Sequence, residues 1–171
     1  TKSEGSKMGK KTVRIIDSSE NGGGVLDGSG ARDGVILLGS KTNSYTTYRG
    51  DVEIGAGVTV KGSVVVTGKS HLDVYGSIIF DTADDAPFNS NTTWGHADQV
   101  ITLHSGSLVR NTEGTAIYKP QPGTLIIEDG ATVIGKDYAI QFRQGELDIR
   151  GGTFTSTGTE PAVVIETSSG Y

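Results

Sequence analysis

The chain has 171 residues, 26 of them glycine, a formal net charge of −5 and no cysteine. This length suffices for one domain with a real core, while the missing thiols exclude disulfides, Cys-based zinc sites and a thiol nucleophile. A mildly acidic chain lacks the electrostatic term that drives phosphate-backbone binding, and without a run of about 18 apolar residues it offers no membrane-spanning helix; neither nucleic acid nor membrane insertion is expected.

Residues 1–11 carry Lys2, Lys7, Lys10 and Lys11 and read as a disordered or vector-derived tail. Residues 12–171 read as one domain. Val13–Ile15 and Val35–Leu38 have the composition of strands. Between them, Gly22–Gly28 is glycine-rich but lacks the Lys-Ser/Thr of a phosphate loop, and reads as a turn. Gly39–Arg49, with Tyr45 and Tyr48, is irregular and in part strand-like. From Asp51 to Phe80 short apolar runs alternate with Gly62, Gly68 and Gly76. Val100–Leu103 and Gly106–Val109 continue the pattern. No segment of 11 or more residues keeps a helical period free of glycine.

The pattern then becomes a repeat. Ala116–Tyr138 and Ala139–Pro161 are two copies of 23 residues, and a third begins at Ala162. Each complete copy opens on Ala-Ile. It then places Gly-x-Leu-x-Ile at Gly123–Ile127 and Gly145–Ile149, a glycine turn at Gly130 and Gly151–Gly152, and a last strand at Thr132–Ile134 and Thr153–Thr155. Runs this short cannot bury a face alone. Coiled into three-stranded rungs of about 22–24 residues, each strand pairs with its equivalent one rung on, ~4.8 Å away. The expected fold is all-β, a parallel β-helix or β-solenoid. Ala116, Ala139 and Ala162 should stack, as should Leu125 and Leu147. The alternative, a β-sandwich, explains short strands but does not require self-similarity.

One segment breaks the alternation. Residues 81–98 hold Phe88, Trp94, His96 and the aspartates Asp81, Asp84, Asp85 and Asp98. In a solenoid such an insertion leaves through a corner and shapes one face. Trp94 and Phe88 either cap the apolar stack or, with Asp84, Asp85, Asp98 and His96, form a sugar-binding platform, where rings offer an apolar face and carboxylates accept hydroxyl hydrogen bonds. Asp81, Asp84, Asp85 and Asp98 are also candidate Ca²⁺ ligands, although their spacing matches no EF-hand or nonapeptide loop; solvated turn carboxylates are the default. His96 and His104 lack the spacing of a helical metal pair and read as surface residues. His71 and Asp73 share one strand face, as do Asp148 and Arg150, with Arg143 and Glu146 nearby.

The run from Ala116 through Gly123-Thr-Leu, Ala139-Ile and Gly145-Glu-Leu-Asp-Ile-Arg-Gly-Gly-Thr-Phe-Thr155 resembles the G-T-L-x-I-x-G-G-T-[FI] repeats of pectate-lyase-like β-helix modules in surface proteins of Gram-positive and gut bacteria. The resemblance covers residues 100–171 well and 50–80 loosely. It implies a right-handed helix, an extracellular location, secreted or wall-attached, and an adhesive role toward a glycan or surface protein of host or bacterium. Related enzymes carry acidic and basic clusters, but no motif of theirs matches here residue by residue, so no catalytic residue and no cofactor beyond Ca²⁺ is assigned. A non-catalytic adhesive or structural module is therefore expected. The alternatives are a polysaccharide lyase or glycoside hydrolase, and a rod that self-associates end to end through open strand edges. The last residues, 168–171, follow directly on a strand-like run, and the chain is expected to be a segment of a longer protein.

Overall fold

A computed structural model of the protein describes residues 12–20, 22–30, 35–38, 49–89 and 96–167. The expected tail at 1–11, Tyr45, Tyr48 and Trp94 lie outside these residues. All regular structure described is β, and every strand pairing is parallel. Sheet A contains β1 (Thr12–Ile15), β4 (Asp51–Ile54), β7 (His71–Val74), β10 (Val100–Leu103), β13 (Thr124–Ile127) and β16 (Glu146–Ile149). Sheet B contains β2 (Val25–Asp27), β5 (Thr59–Lys61), β8 (Ser77–Ile79), β11 (Leu108–Asn111), β14 (Thr132–Gly135) and β17 (Thr153–Ser156). Sheet C contains β3 (Ile36–Leu38), β6 (Val64–Val66), β9 (Phe88–Asn89), β12 (Ile117–Lys119), β15 (Ile140–Phe142) and β18 (Val163–Ile165). Each sheet takes every third strand, an order consistent with a β-solenoid. Three consecutive strands are called a rung below.

The repeat sets the register. Leu125 pairs with Leu147, and the backbone of Ala139 lies between those of Ala116 and Ala162. Alternate residues point inward and stack. Leu72, Ile101 and Leu125 form one buried column in sheet A, Val60, Ile78, Val109 and Val133 one in sheet B. Each fully buried aliphatic side chain contributes about 1.5–3 kcal/mol, so a rung is stable only with neighbours covering it. Turn geometry agrees. Gly123 and Gly145 enter β13 and β16 with φ of +105° and +102°, and a Cβ on Gly145 would lie 2.2 Å from the Gly123 carbonyl oxygen. Only glycine fits that stacked corner.

Three details differ from the sequence expectations. Val25–Asp27, within the expected turn, is strand β2, paired with β5. The segment 81–98 is not one loop: Phe88–Asn89 forms β9, between β6 and β12, and divides it into two corners. Rung length also varies. Sheet A strands start at Thr12, Asp51, His71, Val100, Thr124 and Glu146, spacings of 39, 20, 29, 24 and 22 residues, and the 29-residue rung contains the irregular segment.

Candidate functional site

The corner between β8 and β9 carries Asp81, Asp84 and Asp85, and one buried side chain organises it. Asn111, at the end of β11, is fully buried. Its Nδ2 lies 2.8, 3.0 and 3.2 Å from the carbonyl oxygens of Thr82, Thr115 and Asp85. Its Oδ1 accepts the N–H groups of Thr82, Glu113 and Gly114 at 2.9–3.0 Å. A buried amide that uses both ends satisfies backbone groups a bare turn would leave unpaired, so Asn111 ties two successive corners together.

Asp81 stands outside this knot and pairs with Arg110 at 2.9 Å while accepting the Thr112 N–H. Partial burial would raise its carboxyl, but the Arg110 and Thr112 hydrogen bonds outweigh it and hold the group below the usual carboxylate range. Asp85 Oδ1 accepts the Ala86 N–H at 2.8 Å.

Beside this corner lies a cleft of about 370 Å³, lined by Asp84, Asp85, Thr115, Tyr118, Asp137 and Gln141. Tyr118 and Gln141 are register partners at the outward positions of β12 and β15, one rung apart. Arg143 donates to the Tyr118 hydroxyl at 3.0 Å, its guanidinium carbon lies 5.9 Å from the ring centroid, and Glu166 holds Arg143 at 2.9 Å. The tyrosine is thus oriented by the rung that follows it. An aromatic ring, an amide, a hydroxyl and three carboxylates around one concavity form a donor and acceptor set suited to a polyhydroxylated ligand.

The candidate residues of the irregular segment therefore separate. Asp84 and Asp85 line the cleft. Asp98 and His96 stand at the next corner, between β9 and β10, where the Asp98 N–H donates to His96 Nδ1 at 3.0 Å and Lys69 pairs with the Asp98 carboxylate at 3.3 Å. Phe88 belongs to β9. Among the described residues no three His, Cys, Asp or Glu side chains group so as to hold a metal ion, and the four aspartates form no such set. Sequence reading missed Tyr118, Asp137, Gln141 and Thr115. The available signal was the outward position of Tyr118 and Gln141 in the repeat, which composition alone does not separate from an ordinary solvent face.

A second constellation occupies the outer face of sheet A. His104, expected as a surface residue, is 17% exposed. Its Nε2 lies 2.8 Å from Asp73 and its Nδ1 2.9 Å from Glu128, while its ring stacks on Tyr75 with centroids 4.0 Å apart and planes 3° from parallel. Each ring nitrogen thus faces one carboxylate. This stack joins three rungs. Arg14 pairs with Glu53 at 2.9 Å and Arg150 with Asp148 at 2.7 Å on the same face.

No helix of the described residues is long and apolar enough to cross a membrane. The chain matches no protein-family model, no curated protein and no solved structure.

Proposed function

We propose that this chain is part of an extracellular, non-catalytic surface module, a right-handed parallel β-helix of the pectate-lyase-like kind, that binds carbohydrate in the cleft beside Tyr118. The observation that carries this reading is the cleft itself: an oriented tyrosine with Asp84, Asp85, Asp137, Thr115 and Gln141 around about 370 Å³. A pyranose ring presents an apolar face to an aromatic ring and hydroxyls to carboxylates and amides. The repeat and its resemblance to surface-protein modules support the location and the handedness. The corner bonds of Asn111 favour a pre-formed site, and a pre-formed site spends little free energy on ordering.

The test is a glycan-array and polysaccharide-turnover screen with and without Ca²⁺, on the chain and on Tyr118→Ala. Binding without turnover, weakened roughly 2- to 10-fold in Tyr118→Ala, is the expected result. Turnover that disappears in Asp84→Asn or Asp137→Asn would replace this reading with a carbohydrate-active enzyme, since paired carboxylates are the machinery of glycoside cleavage. Binding indifferent to Tyr118→Ala would move the site elsewhere.

A further inference from the structure

We propose that the gap at Gly55, on the outer face of sheet A, binds a planar organic cation of the guanidinium or imidazolium type, stacked on the open face of Tyr75 and donating N–H groups to Glu53. This site is distinct from the cleft beside Tyr118 and does not rest on the reading given for it.

The sheet A ladder runs one residue past its strands. The N–H groups of Gly55, Tyr75, His104 and Glu128 donate to the carbonyls of Ile15, Ile54, Val74 and Leu103 at 2.8–3.0 Å. Ile16, Gly55, Tyr75, His104 and Glu128 therefore follow one another along the axis, one rung of ~4.8 Å apart. On one side Tyr75 carries the His104 ring in a parallel stack. On the other side its ladder neighbour is Gly55, and among the described residues no ring stacks on that face. Ile16, one rung further, is 65% exposed and floors the gap. The result is a cleft of about 380 Å³ lined by Arg14, Ile16, Asp17, Glu53, Gly55 and Tyr75. Its width along the axis is one missing layer of a stack that already holds one planar nitrogen ring.

The surrounding chemistry selects the occupant. His104 is held against Tyr75 by a carboxylate two residues before that tyrosine, Asp73. Glu53 stands at the same offset from Gly55, its register partner being Asp73 itself. Arg14 directs both Nε and Nη2 to Glu53 Oε1, at 3.1 and 2.9 Å, which leaves Oε2 outside that pair. Asp17 is occupied: hydrogen bonds from the Ser19 hydroxyl and the Ser19 and Gly24 N–H groups hold its carboxyl down to about 2. The Tyr75 phenol is pushed up by partial desolvation first and then by the negative fields of Asp73, Glu53 and Glu128, against Arg14 alone. A ring face in a negative field attracts a cation. A neutral ring would gain the stack without the field, and a tetrahedral ammonium the field without the stack. Arg14, a guanidinium already drawn to Glu53, shows that the carboxylate accepts this chemistry.

The experiment titrates the ¹⁵N-labelled full chain with N-acetyl-arginine methylamide, and in parallel with the neutral planar citrulline analogue and the charged, non-planar lysine analogue. Saturable shifts of the Gly55, Ala56 and Tyr75 amides are expected with arginine, and weaker ones with the other two. Glu53→Gln and Tyr75→Leu should each weaken binding roughly 2- to 5-fold. Ile16→Arg, at an exposed position that leaves the core intact, should abolish it by filling the gap with a tethered guanidinium. Preference for the blocked arginine over agmatine identifies a peptide side chain as the source, and the reverse a free small molecule; either supports the slot. Equal shifts for citrulline and arginine, shifts indifferent to Ile16→Arg, or no saturable shift at all overturn the proposal.

Discussion

Lys119 stands at an inward position of β12, paired in register with Phe142, and is fully buried. Its Nζ donates to the carbonyl oxygens of Gln121 and Pro122 at 2.7 and 2.9 Å. Two carbonyl dipoles solvate an ammonium less well than water does, and desolvation lowers its pKa from 10.5 to about 7. In the unfolded chain the amine returns to its ordinary value. Between pH 7 and 10.5 the unfolded state therefore binds more protons than the folded one, and stability rises with pH across that window. The slope approaches about 1.4 kcal/mol per pH unit, and from pH 7 to pH 9 the gain is about 2 kcal/mol. Below pH 7 the burial penalty is present in full. Urea denaturation at a series of pH values reads this directly as a change in midpoint at constant slope. Lys119→Met keeps the volume, removes the titrating group and should flatten the profile between pH 7 and 9. A wild-type profile flat over that range, or a slope that survives in Lys119→Met, would refute the assignment.

Asn111→Ala should destabilise the chain by about 3–5 kcal/mol, because it strands several buried backbone groups at two corners at once. The same change should weaken glycan binding more than Asp81→Asn does, since Asp81 lies outside the cleft lining; denaturation and binding isotherms on both variants check this. Gly145→Ala should cost about 1–3 kcal/mol, seen as a lowered urea midpoint, because its positive φ and its contact with the Gly123 carbonyl both resist a side chain.

What the sequence disclosed, and what it hid, follow from one constraint. Inward positions stack on their equivalents, so Leu125 over Leu147 and the alanine column repeat visibly and give away the register. Strands with less to stack are faint. β2 is Val-Leu-Asp amid glycines, and β9 is two residues between Pro87 and Ser90; each exists because neighbouring strands supply its hydrogen bonds, a tertiary term that no local propensity carries. Lys119 was hidden for the opposite reason. It sits at an apolar position of the repeat as a polar residue, and only the local carbonyls of Gln121 and Pro122 make that tolerable.

The same constraint explains where this molecule has room for chemistry. A substitution in a stacked column must fit two neighbours along the axis, whereas an outward side chain answers only to those beside it. Outer faces and corners therefore have the most room for side chains of differing chemistry. On sheet A the outward residues form a ladder of polar pairs, Arg14 with Glu53, His104 with Asp73 and Glu128, Arg150 with Asp148, interrupted where Gly55 carries no side chain. On sheet C the outward Tyr118 and Gln141 lie beside a corner lengthened by the 29-residue rung. A longer rung moves extra chain outward without altering the inner columns, since Leu72 still pairs with Ile101 across it. A site can thus be added to these parallel sheets at the expense of one corner, with Asn111 supplying the hydrogen bonds that the displaced backbone loses.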